Sequence, residues 1–532
     1  MASQLQVDEL FPPPLPPLPI DSPESKTDAF LGVNARRIAI SLSVFAAIRV
    51  LLFCAAFPLT NTIDERFHLL TIQMYAKGDL PEKDLPSLDP AVAERLLLYW
   101  SPEFSHSQAA MDRDGIVAPL YALPPQTRDV AMAQNFYSDK LKQWSHRRNY
   151  EAQSPPLYYV VAGAWYRVAS LLGMRGWALD YWPRFLNPIV YALLVWASYL
   201  FTRRAYPARQ FLQAGVPALM AVFPQDVFYG MNRDVFSAPL SAVALLLMLR
   251  AVAHSGRNSS LLPASFAVSL AFLSSISNFV LYGALAAALW IWSRRSPETR
   301  AHKRRLILAN AFIAGVLPAL WMLRNYFVMG DFLGGKAKAF DFGWTVKPIA
   351  SVFHHPLFSL SGTGYFVLEL TRRFWRGEYV WHNLPMQVNA VDRFYILSSA
   401  LFGLLFAINL FRQRRAMSAC QKLVELQAIF LIAVSVLFLA ILSLAFDFHD
   451  CAYPSRQLPF FVSGRIISGA MLPAALIYTI GLELFLTRLR KWVPPAAALC
   501  GVVLFITISE VHVRSAVFAS RYNFFALLRL HP

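Results

Sequence analysis

The chain has 532 residues, of which 56% are hydrophobic and only 15% charged, whereas a soluble globular protein has about 25% charged residues. The formal net charge is +17, but the basic clusters lie between apolar blocks of roughly 20 residues, where they set membrane orientation. This composition excludes a soluble enzyme, a disordered chain and a nucleic-acid-binding protein, and it predicts an all-α polytopic membrane protein.

The N-terminal region divides into a polar tail and a first apolar helix. Residues 1–35 contain the run PPPLPPLP at 12–19 and predict a disordered cytoplasmic tail, with a polyproline II ligand for a partner as the alternative. The block 38–58 is too long for the apolar region of a signal peptide and lacks a cleavage site. It predicts an uncleaved first span with Arg36 and Arg37 at its cytoplasmic end.

Further apolar blocks along the chain predict about eleven spans in all, within a range of 10 to 13. They lie near 182–202, 211–225, 235–253, 260–276, 277–293, 306–325, 394–411, 424–446, 466–487 and 493–510. The boundary at 276/277 rests on the polar run Ser-Ile-Ser-Asn inside one long apolar stretch. We expect a transmembrane domain over 36–510 and a short outward-facing tail over 511–532.

The block 155–173 either crosses the bilayer or lies along its surface as an amphipathic helix. If it lies flat, the basic loops between spans all fall on the side of Arg36 and Arg37, as the positive-inside rule requires. We therefore favour a surface helix, which gives an inside N-terminus, an outside C-terminus and large outer loops at about 59–181 and 326–393. Smaller outer loops fall near 226–234 and 447–465.

The first outer loop begins with Asn61-Thr62-Ile63-Asp64-Glu65-Arg66-Phe67-His68. Thr62 or Asn61 can cap a helix in which Asp64 and His68, four residues apart, share a face. A carboxylate at the end of a membrane helix lies in a low-dielectric setting that can raise its pKa, which suits a general base. A helix cap with solvated charges is the alternative.

A second motif in the first outer loop runs from Glu151 to Tyr159. Pro155 and Pro156 fix the backbone before a helix begins. Tyr158 and Tyr159 then follow, either as interfacial anchors or as part of a substrate site.

Three more polar motifs are expected at the outer face. Asn232-Arg233-Asp234 carries a carboxylate, with a snorkelling Arg–Asp pair as the simpler account. Arg324 ends one span and Arg465 begins another. Arg324 can receive a lipid phosphate or anchor its helix at the interface, and Arg465 is expected to face a cavity rather than lipid.

Metal-binding patterns are weak in this sequence. Asp112-Arg113-Asp114 matches a DxD triplet, which arises by chance in a chain of this length. The histidines of the first loop (His68, His106 and His146) lack metal-ligand spacing. The four cysteines, Cys54, Cys420, Cys451 and Cys500, lie far apart and predict neither a zinc site nor a disulfide framework.

These motifs, in this order, resemble those of the GT-C superfamily of integral-membrane glycosyltransferases, which includes protein O-mannosyltransferases and the bacterial aminoarabinose transferase that acts on lipid A. The first loop is most similar to bacterial membrane proteins of that superfamily with a PDExxH motif, Ile63 replacing the proline. The family motifs hPPLYY, NND, RNxxxxGD and GRY match at 154–159, 232–234, 324–331 and 464–466, with Ser154 and Ile466 as departures. The resemblance covers about 36–490, and the family also places its PPLYY helix along the membrane surface.

The resemblance implies transfer of a sugar from a polyprenyl-phosphate donor to a glycan, lipid or protein acceptor at the outer, periplasmic face of a bacterial inner membrane. Asp64 and Glu65 would be catalytic, with Asp64 as the base, and Arg324 and Arg465 would stabilise the leaving phosphate. The other matched residues would position substrate: His68, Glu151, Pro155, Pro156, Tyr158, Tyr159 and Asp234. A single base with a phospholipid leaving group implies inversion. No cofactor is needed in most relatives of this type, and a divalent metal at Asp112 and Asp114 is the alternative.

Three other functions remain open at this stage. A transporter or flippase of lipid-linked sugars would need ionisable residues at mid-membrane depth, and Arg49 in the first helix is one such residue. A polysaccharide polymerase or ligase would use similar lipid-linked substrates. A non-catalytic scaffold is the third. The aromatic residues Phe374, Trp375, Tyr379 and Trp381 in the second large loop are expected to help select the acceptor.

Overall fold

Apolar helices make up most of the chain in the computed structural model. The structure describes residues 23–61, 63–82, 88–116, 118–253, 260–413, 417–451, 453–489 and 493–530. The predicted tail run at 12–19 and the predicted cap Thr62 lie outside these residues.

The described residues contain the following α-helices and strands. The helices are α1 Pro23–Ala56, α2 Glu65–Lys77, α3 Pro90–Leu98, α4 Gln108–Arg113, α5 Pro125–Ala133, α6 Asn135–His146, α7 Leu157–Leu171, α8 Gly176–Tyr181, α9 Asn187–Ala205, α10 Gln210–Val222, α11 Ser237–Ala253, α12 Leu262–Ser274, α13 Val280–Arg295, α14 Arg300–Met329, α15 Lys336–Asp341, α16 Ile349–Val352, α17 Leu360–Arg376, α18 Asn389–Gln413, α19 Ala419–Ala445, α20 Met471–Leu489, α21 Pro495–Phe518 and α22 Phe524–Leu530. The antiparallel strand pairs are β1 Thr345–Val346 with β4 Phe446–Asp447, and β2 Val380–Trp381 with β3 Leu384–Pro385.

Short 3-10 helices lead into several of the long helices. They lie at Pro102–Phe104, Leu120–Ala122, Tyr150–Gln153, Trp182–Leu186, Asp226–Tyr229, Arg233–Phe236, Ile276–Phe279, Pro356–Phe358 and Gly464–Ala470. Those before α9, α11, α13 and α20 extend the helices into longer apolar rods.

Nine helices within the described residues are long and apolar enough to cross a membrane. They are Asn34–Ala56, Gly176–Ala205, Arg233–Ala253, Ile276–Arg295, Arg300–Met329, Asn389–Gln413, Ala419–Ala445, Gly464–Leu489 and Pro495–Phe518. The prediction of a polytopic all-α membrane protein is confirmed. The other two predicted spans correspond to the shorter α10 and α12, which have 13 residues each and extend only about 20 Å, less than a hydrocarbon core of about 30 Å.

The helix α7 occupies the block whose placement decided the predicted orientation. It has 15 residues, a length of about 22 Å, and is not among the helices long enough to cross. It packs along α2 and against the 3-10 helix Trp182–Leu186. This length favours the surface helix, while its depth in a bilayer stays a prediction.

Both predicted ends of the transmembrane domain, at residues 36 and 510, fall inside helices of the structure. Helix α1 begins at Pro23, since proline suits a first turn, and its apolar spanning part begins at Asn34. Helix α21 continues past residue 510 to Phe518. Its charged residues Glu510 and Arg514 are buried in an ion pair with each other, so polarity does not end the helix.

Helices of the bundle approach each other closely through small residues, as membrane helices do in the absence of a strong hydrophobic force between them. A Cβ atom at Gly481 of α20 would lie 2.2 Å from the carbonyl oxygen of Phe402 in α18. These two helices therefore pack backbone to backbone at that point.

The loops that bear the predicted site motifs all leave the bundle at one end, which we call the site end. Helices α1, α14 and α19 finish there, and α11, α18 and the 3-10 helix before α20 begin there. The strand pair β1–β4 joins two of these loops, with Thr345 opposite Asp447.

Candidate functional site

Seven charged side chains from separate loops and helix ends form one cluster at the site end, which we call the site cluster. It consists of Asp64, Glu151, Arg233, Asp234, Lys338, Glu378 and Arg465. Four of these, Asp64, Glu151, Asp234 and Arg465, were predicted as site residues from the sequence.

Asp64 caps the N-terminus of α2 in the left-handed conformation, with φ 58° and ψ 8°. Aspartate is one of the few residues other than glycine that occupy this region at modest cost. Its side chain makes no capping hydrogen bond to the helix and is turned instead toward other loops. Tyr150 Oη donates to Asp64 Oδ1 at 2.5 Å. The carboxylate retains 16% of its surface exposed.

Lys338 in α15 links Asp64 to Glu151. Its Nζ atom donates to Asp64 Oδ2 at 3.0 Å and to Glu151 Oε1 at 2.7 Å. The lysine side chain is 25% exposed, so it reaches the pair from the solvent-accessible side. The two carboxylates therefore share one cation.

Glu151 is the buried member of the pair, with a side chain only 2% exposed. Its Oε2 atom accepts from Ser154 at 2.7 Å, from Tyr159 Oη at 3.2 Å and from Arg233 at 3.2 Å. His68 Nδ1 lies 2.8 Å from the same Tyr159 hydroxyl. His68, Glu151 and Tyr159 thus form a continuous hydrogen-bonded wall beneath Asp64.

Arg465 lies at the opposite side of the cluster. Its guanidinium donates to Asp234 Oδ2 at 3.0 Å and lies 3.8 Å from Glu378 Oε2. Ser463 donates to the other oxygen of Glu378 at 2.5 Å. The predicted simple pair of Arg233 with its neighbour Asp234 is not formed, since Arg233 contacts Glu151 and Asp234 contacts Arg465.

Burial and ion pairing oppose each other at the two carboxylates of the first loop. Burial raises the pKa of Asp64, but the opposing effect of Lys338 is sufficient, with Arg465 and Tyr150, to leave it below its ordinary value. Burial also raises the pKa of Glu151, but Arg233 and Lys338 lower it by more. The pKa of Glu151 is therefore well below its usual range. Burial lowers the pKa of His68 to about 4. The expectation of a raised pKa is therefore not met at Asp64, because Lys338 lies within reach of its carboxylate.

Several buried polar atoms facing the cluster have no hydrogen-bond partner within the described residues. They are Nε2 of His68, Oδ1 of Asp234 and Nε of Arg465. An unsatisfied buried polar group costs about 1–3 kcal/mol. Such atoms are suited to a polar ligand or ordered water between them.

Glu65 lies outside this cluster in a fully buried ion pair with Arg184. The guanidinium donates to Glu65 Oε1 at 2.7 Å and Oε2 at 2.6 Å. The same carboxylate accepts from the backbone N–H groups of Asn61 and Met231. Both side chains are inaccessible to solvent. This arrangement contradicts the placement of Glu65 beside Asp64 in an accessible catalytic pair.

The PPLYY motif forms the start of α7, as predicted. Pro155 is buried, Pro156 is the N-cap residue, and Tyr158 and Tyr159 are fully buried behind the cluster. The interfacial-anchor interpretation of the tyrosines does not fit this burial. Tyr159 contacts Glu151, whereas Tyr158 packs its ring against Phe236.

Arg324 does not join the cluster. Its guanidinium donates to the carbonyl of Pro81, just after α2, and lies 3.5 Å from Asn325 Oδ1. It ties the end of α14 to the first loop.

An apolar groove of about 610 Å³ lies beside the cluster. Its walls come from the helices α12, α13, α14 and α19 and include Phe272, Tyr282, Gly315, Pro318, Met322 and Leu333. Leu333 is followed by Gly334, where a Cβ atom would lie 2.3 Å from the carbonyl oxygen of Gln153. The same short segment therefore borders the groove, packs against Gln153 and supplies Lys338.

No group of three His, Cys, Asp or Glu side chains suited to a metal ion occurs in the described parts of the chain. Asp112 accepts from Gln108 on the exposed face of α4, and Asp114 contacts Arg113. The histidines of the first loop have separate partners: Tyr159 for His68, Ser105 for His106 and the Lys142 carbonyl for His146.

Comparison with known proteins adds no relative: no protein-family model matches this chain, and no curated protein matches it either.

Sequence reasoning missed Lys338 and Glu378 as members of the cluster. Neither stands in a recognisable motif, and both lie in the long second loop. Arg233 stood inside a motif but was given the wrong partner. The contacts that define these three residues join loops far apart in the chain, and no local pattern encodes them.

Proposed function

We propose that this protein is a GT-C-type glycosyltransferase that transfers a sugar from a polyprenyl-phosphate donor to a hydroxyl or amine acceptor. The observation that carries the proposal is the placement of Asp64. It is a partly exposed carboxylate within a cluster of three cations, and that cluster borders an apolar groove.

Asp64 is the proposed general base. As the acceptor oxygen or nitrogen bonds to the anomeric carbon, its proton passes to Asp64, and the bond from that carbon to the phosphate oxygen breaks. The electron pair of that bond leaves with polyprenyl phosphate. Attack from the face opposite the phosphate inverts the anomeric centre. Tyr150 and Lys338 orient the carboxylate.

The cations of the site cluster are the proposed partners of the leaving phosphate. Lys338 and Arg465 are both partly exposed, and fixed positive charge placed where negative charge develops lowers the barrier. When Lys338 turns from Asp64 to the phosphate, Asp64 loses the cation that depresses its pKa and becomes a stronger base. Donor binding therefore prepares the base.

The apolar groove is the proposed site of the polyprenyl chain. Its volume of about 610 Å³ and its apolar walls suit several isoprene units. A chain lying there would direct its phosphate past Leu333 toward Lys338. Arg324, already bonded to Pro81, fastens the loop in this proposal and does not contact the phosphate.

Glu65 is assigned a positioning role. Its pairing with Arg184 fixes the first turn of α2 immediately after Asp64. Glu151, His68 and Tyr159 form the floor of the site, and Asp234 and Glu378 orient Arg465. The predicted positioning residues Pro155, Pro156 and Tyr158 act through the start of α7.

The distribution of arginines supports an outward-facing site. The helices that begin at the site end carry basic residues in their last turns, at the opposite end of the bundle. These are Arg203, Arg204, Arg250, Arg294, Arg295, Arg412 and Arg488. By the positive-inside rule the basic end faces the cytoplasm, so we place the site cluster at the outer, periplasmic face of the inner membrane.

One observation favours the flippase or transporter as a second candidate. Arg49 of α1 donates to Glu510 of α21 at 2.5 Å, with both side chains buried inside spanning helices. Tyr229 donates to the same carboxylate. Buried ionisable groups in spans are typical of ion pathways. Arg49 also donates to Tyr229 Oη and to the carbonyl of Phe223, contacts that a purely structural ion pair would have as well.

The test is a reconstitution in liposomes with a panel of radiolabelled polyprenyl-phosphate sugars and an envelope extract as acceptor. We expect release of polyprenyl phosphate and transfer of label by the wild type, with both lost in Asp64→Asn. Movement of intact donor across the bilayer without release, abolished in Glu510→Gln, would support the transporter instead. Consumption of no donor on the panel would contradict the glycosyltransferase.

A further inference from the structure

A stretch of the second large loop exposes large apolar side chains although it lies outside the spanning helices. We call residues 332–360 the apolar loop segment. Phe340, Val346, Ile349, Phe353 and Leu360 are each between 74% and 93% exposed. In water such a set would be unfavourable, since contiguous apolar surface of this kind marks an interaction site.

The first large loop provides the comparison. Across the described residues of 63–156, the exposed large hydrophobic residues are Leu80 and Val130 alone. That loop buries its aromatic residues among themselves, as in the edge-to-face contact of Trp100 with Trp144. This part of the first loop, which precedes α7, therefore exposes far less apolar surface than the second loop, while α7, the predicted surface helix, also exposes Leu171 and Leu172 at its C-terminal end.

The apolar loop segment is folded and fixed to the bundle. Trp344 packs on Phe448 and Phe461, and the strand β1 pairs with β4. The backbone N–H of Lys347 donates to the carbonyl of Ala445 at 2.9 Å. The exposed side chains thus point outward from an ordered backbone.

The ends of two spanning helices give the depth of this segment. It follows α14, which ends at Met329, and it is bonded to Ala445, where α19 ends. The last turn of α14 already exposes Phe327 to the surroundings of the bundle, by 80%. The apolar loop segment therefore lies at the level where these helices leave the hydrocarbon region.

The charges of the segment match a headgroup environment. It contains Lys336, Lys338 and Lys347 and a single acidic residue, Asp341. Interfacial segments combine lysines at headgroup level with Phe, Leu and Ile in the acyl region.

We propose that the apolar loop segment is embedded in the lipid leaflet at the site end, with Phe340, Ile349 and Phe353 among the acyl chains. Its occupant is the lipid surface itself. Lys338, which reaches Asp64 and Glu151, is then carried by a membrane-seated arm rather than by a water-exposed lid. The position of this arm does not depend on which reaction the cluster performs.

The test is site-specific labelling in lipid nanodiscs. Cys420→Ser, Cys451→Ser and Cys500→Ser remove the accessible thiols, while Cys54 is buried and stays. A fluorophore is attached in turn at Ile349→Cys, at Phe353→Cys and, as a control on an exposed aliphatic residue of the first loop, at Val130→Cys. Quenching is measured with acyl-chain nitroxide lipids and with aqueous iodide.

We expect lipid nitroxides to quench the labels at 349 and 353, at depths of about 5–10 Å below the headgroups, while iodide quenches the label at 130. Iodide quenching at 349 and 353 equal to that at 130 would overturn the proposal. Protection of the labels at 349 and 353 from both quenchers would also overturn the proposal. It would show that protein, and not lipid, covers the apolar loop segment. Phe340→Cys and Leu360→Cys serve if either variant fails to fold.

Discussion

Lys338 Nζ and Asp64 Oδ2 lie 3.0 Å apart, although 274 residues separate them in the chain. The contact places a cation beside the proposed base and connects the first large loop to the second. It also makes the ionisation of Asp64 depend on a lysine that can move.

Removal of this lysine is expected to shift the pH dependence of activity. With Lys338 present, the pKa of Asp64 is below its ordinary value of 3.8, so the base is ionised across the neutral and mildly acidic range. In Lys338→Met, burial acts with less opposition and raises that pKa. The acid limb of the kcat/KM profile should move to higher pH.

Lys336→Met is the matched control for this change. Lys336 lies two residues away in the same helix, is exposed, and donates to the carbonyl of Gly330 rather than to the cluster. Its profile should coincide with that of the wild type. An equal shift in both variants would show that loss of loop charge, and not the contact with Asp64, is responsible.

Asp64→Asn should lower kcat by about 10²–10⁴-fold, the usual contribution of a general base. The fold should persist, because asparagine also tolerates the left-handed conformation and can still accept from Tyr150. Asp112→Asn removes an exposed carboxylate of the same loop and should leave the rate unchanged. Activity should also survive EDTA. Loss of activity in Asp112→Asn together with EDTA sensitivity would instead indicate a metal at the DxD triplet.

Glu65→Gln is expected to act on stability. Breaking a buried ion pair from one side costs about 3–5 kcal/mol, and Arg184 would be left as an uncompensated buried cation. The melting temperature of Glu65→Gln in detergent should fall sharply. The melting temperature of Arg184→Met should fall by a similar amount. A Glu65→Gln protein that melts like the wild type but is inactive would return Glu65 to a catalytic role.

His68 makes stability depend on acid. Its pKa is about 4 in the folded protein against 6.5 when unperturbed, so the unfolded state binds the proton first. Stability from the neutral imidazole is lost as pH falls from 6.5 toward 4, by at most about 1.4 kcal/mol per pH unit. His68→Asn should flatten thermal stability over this window, whereas His146→Asn, on the exposed face of α6, should follow the wild type.

The groove predicts sensitivity to chain length of the donor. The position of a Cβ atom at Gly315 meets no other atom within 4 Å, so Gly315→Leu would place its side chain in the groove. The added side chain would compete with the polyprenyl chain for space, at an overpacking cost of about 1–3 kcal/mol. KM for a long polyprenyl donor should therefore rise on the order of tenfold. A donor with a short prenyl chain should be unaffected.

Gly403→Leu is the control for the groove substitution, since Gly403 of α18 is equally open and does not line the groove. It should leave KM for both donors unchanged. Equal effects at the two glycines would assign the change to general disturbance of the lipid-facing surface.

The membrane architecture was largely predictable because length and apolarity are local properties. Nine spans follow from that rule, and α10 and α12 fall short because their apolar helices stop after 13 residues. At the C-terminal end of the bundle, Glu510 resembles a boundary in the sequence, but it is buried in contacts with Arg49 and Arg514, and α21 continues past it.

The site was predictable only in part. Asp64, Glu151, Asp234 and Arg465 stand in motifs and do meet. The sequence does not predict that the side chains of Asp64 and Glu65 lie in different surroundings. Neighbouring residues at the start of a helix point in different directions, and the left-handed conformation of Asp64 increases that difference. Lys338 was hidden because its partners come from another loop.

The pairing of Glu65 with Arg184 also sets an order of events during synthesis. Arg184 is made 119 residues after Glu65, a delay of roughly 6–24 s at ordinary ribosome speeds of 5–20 residues per second. Lys338 follows Asp64 by roughly 14–55 s on the same scale. Until Arg184 and Lys338 have been synthesised, Glu65 and Asp64 cannot form the ion pairs that they have in the folded protein.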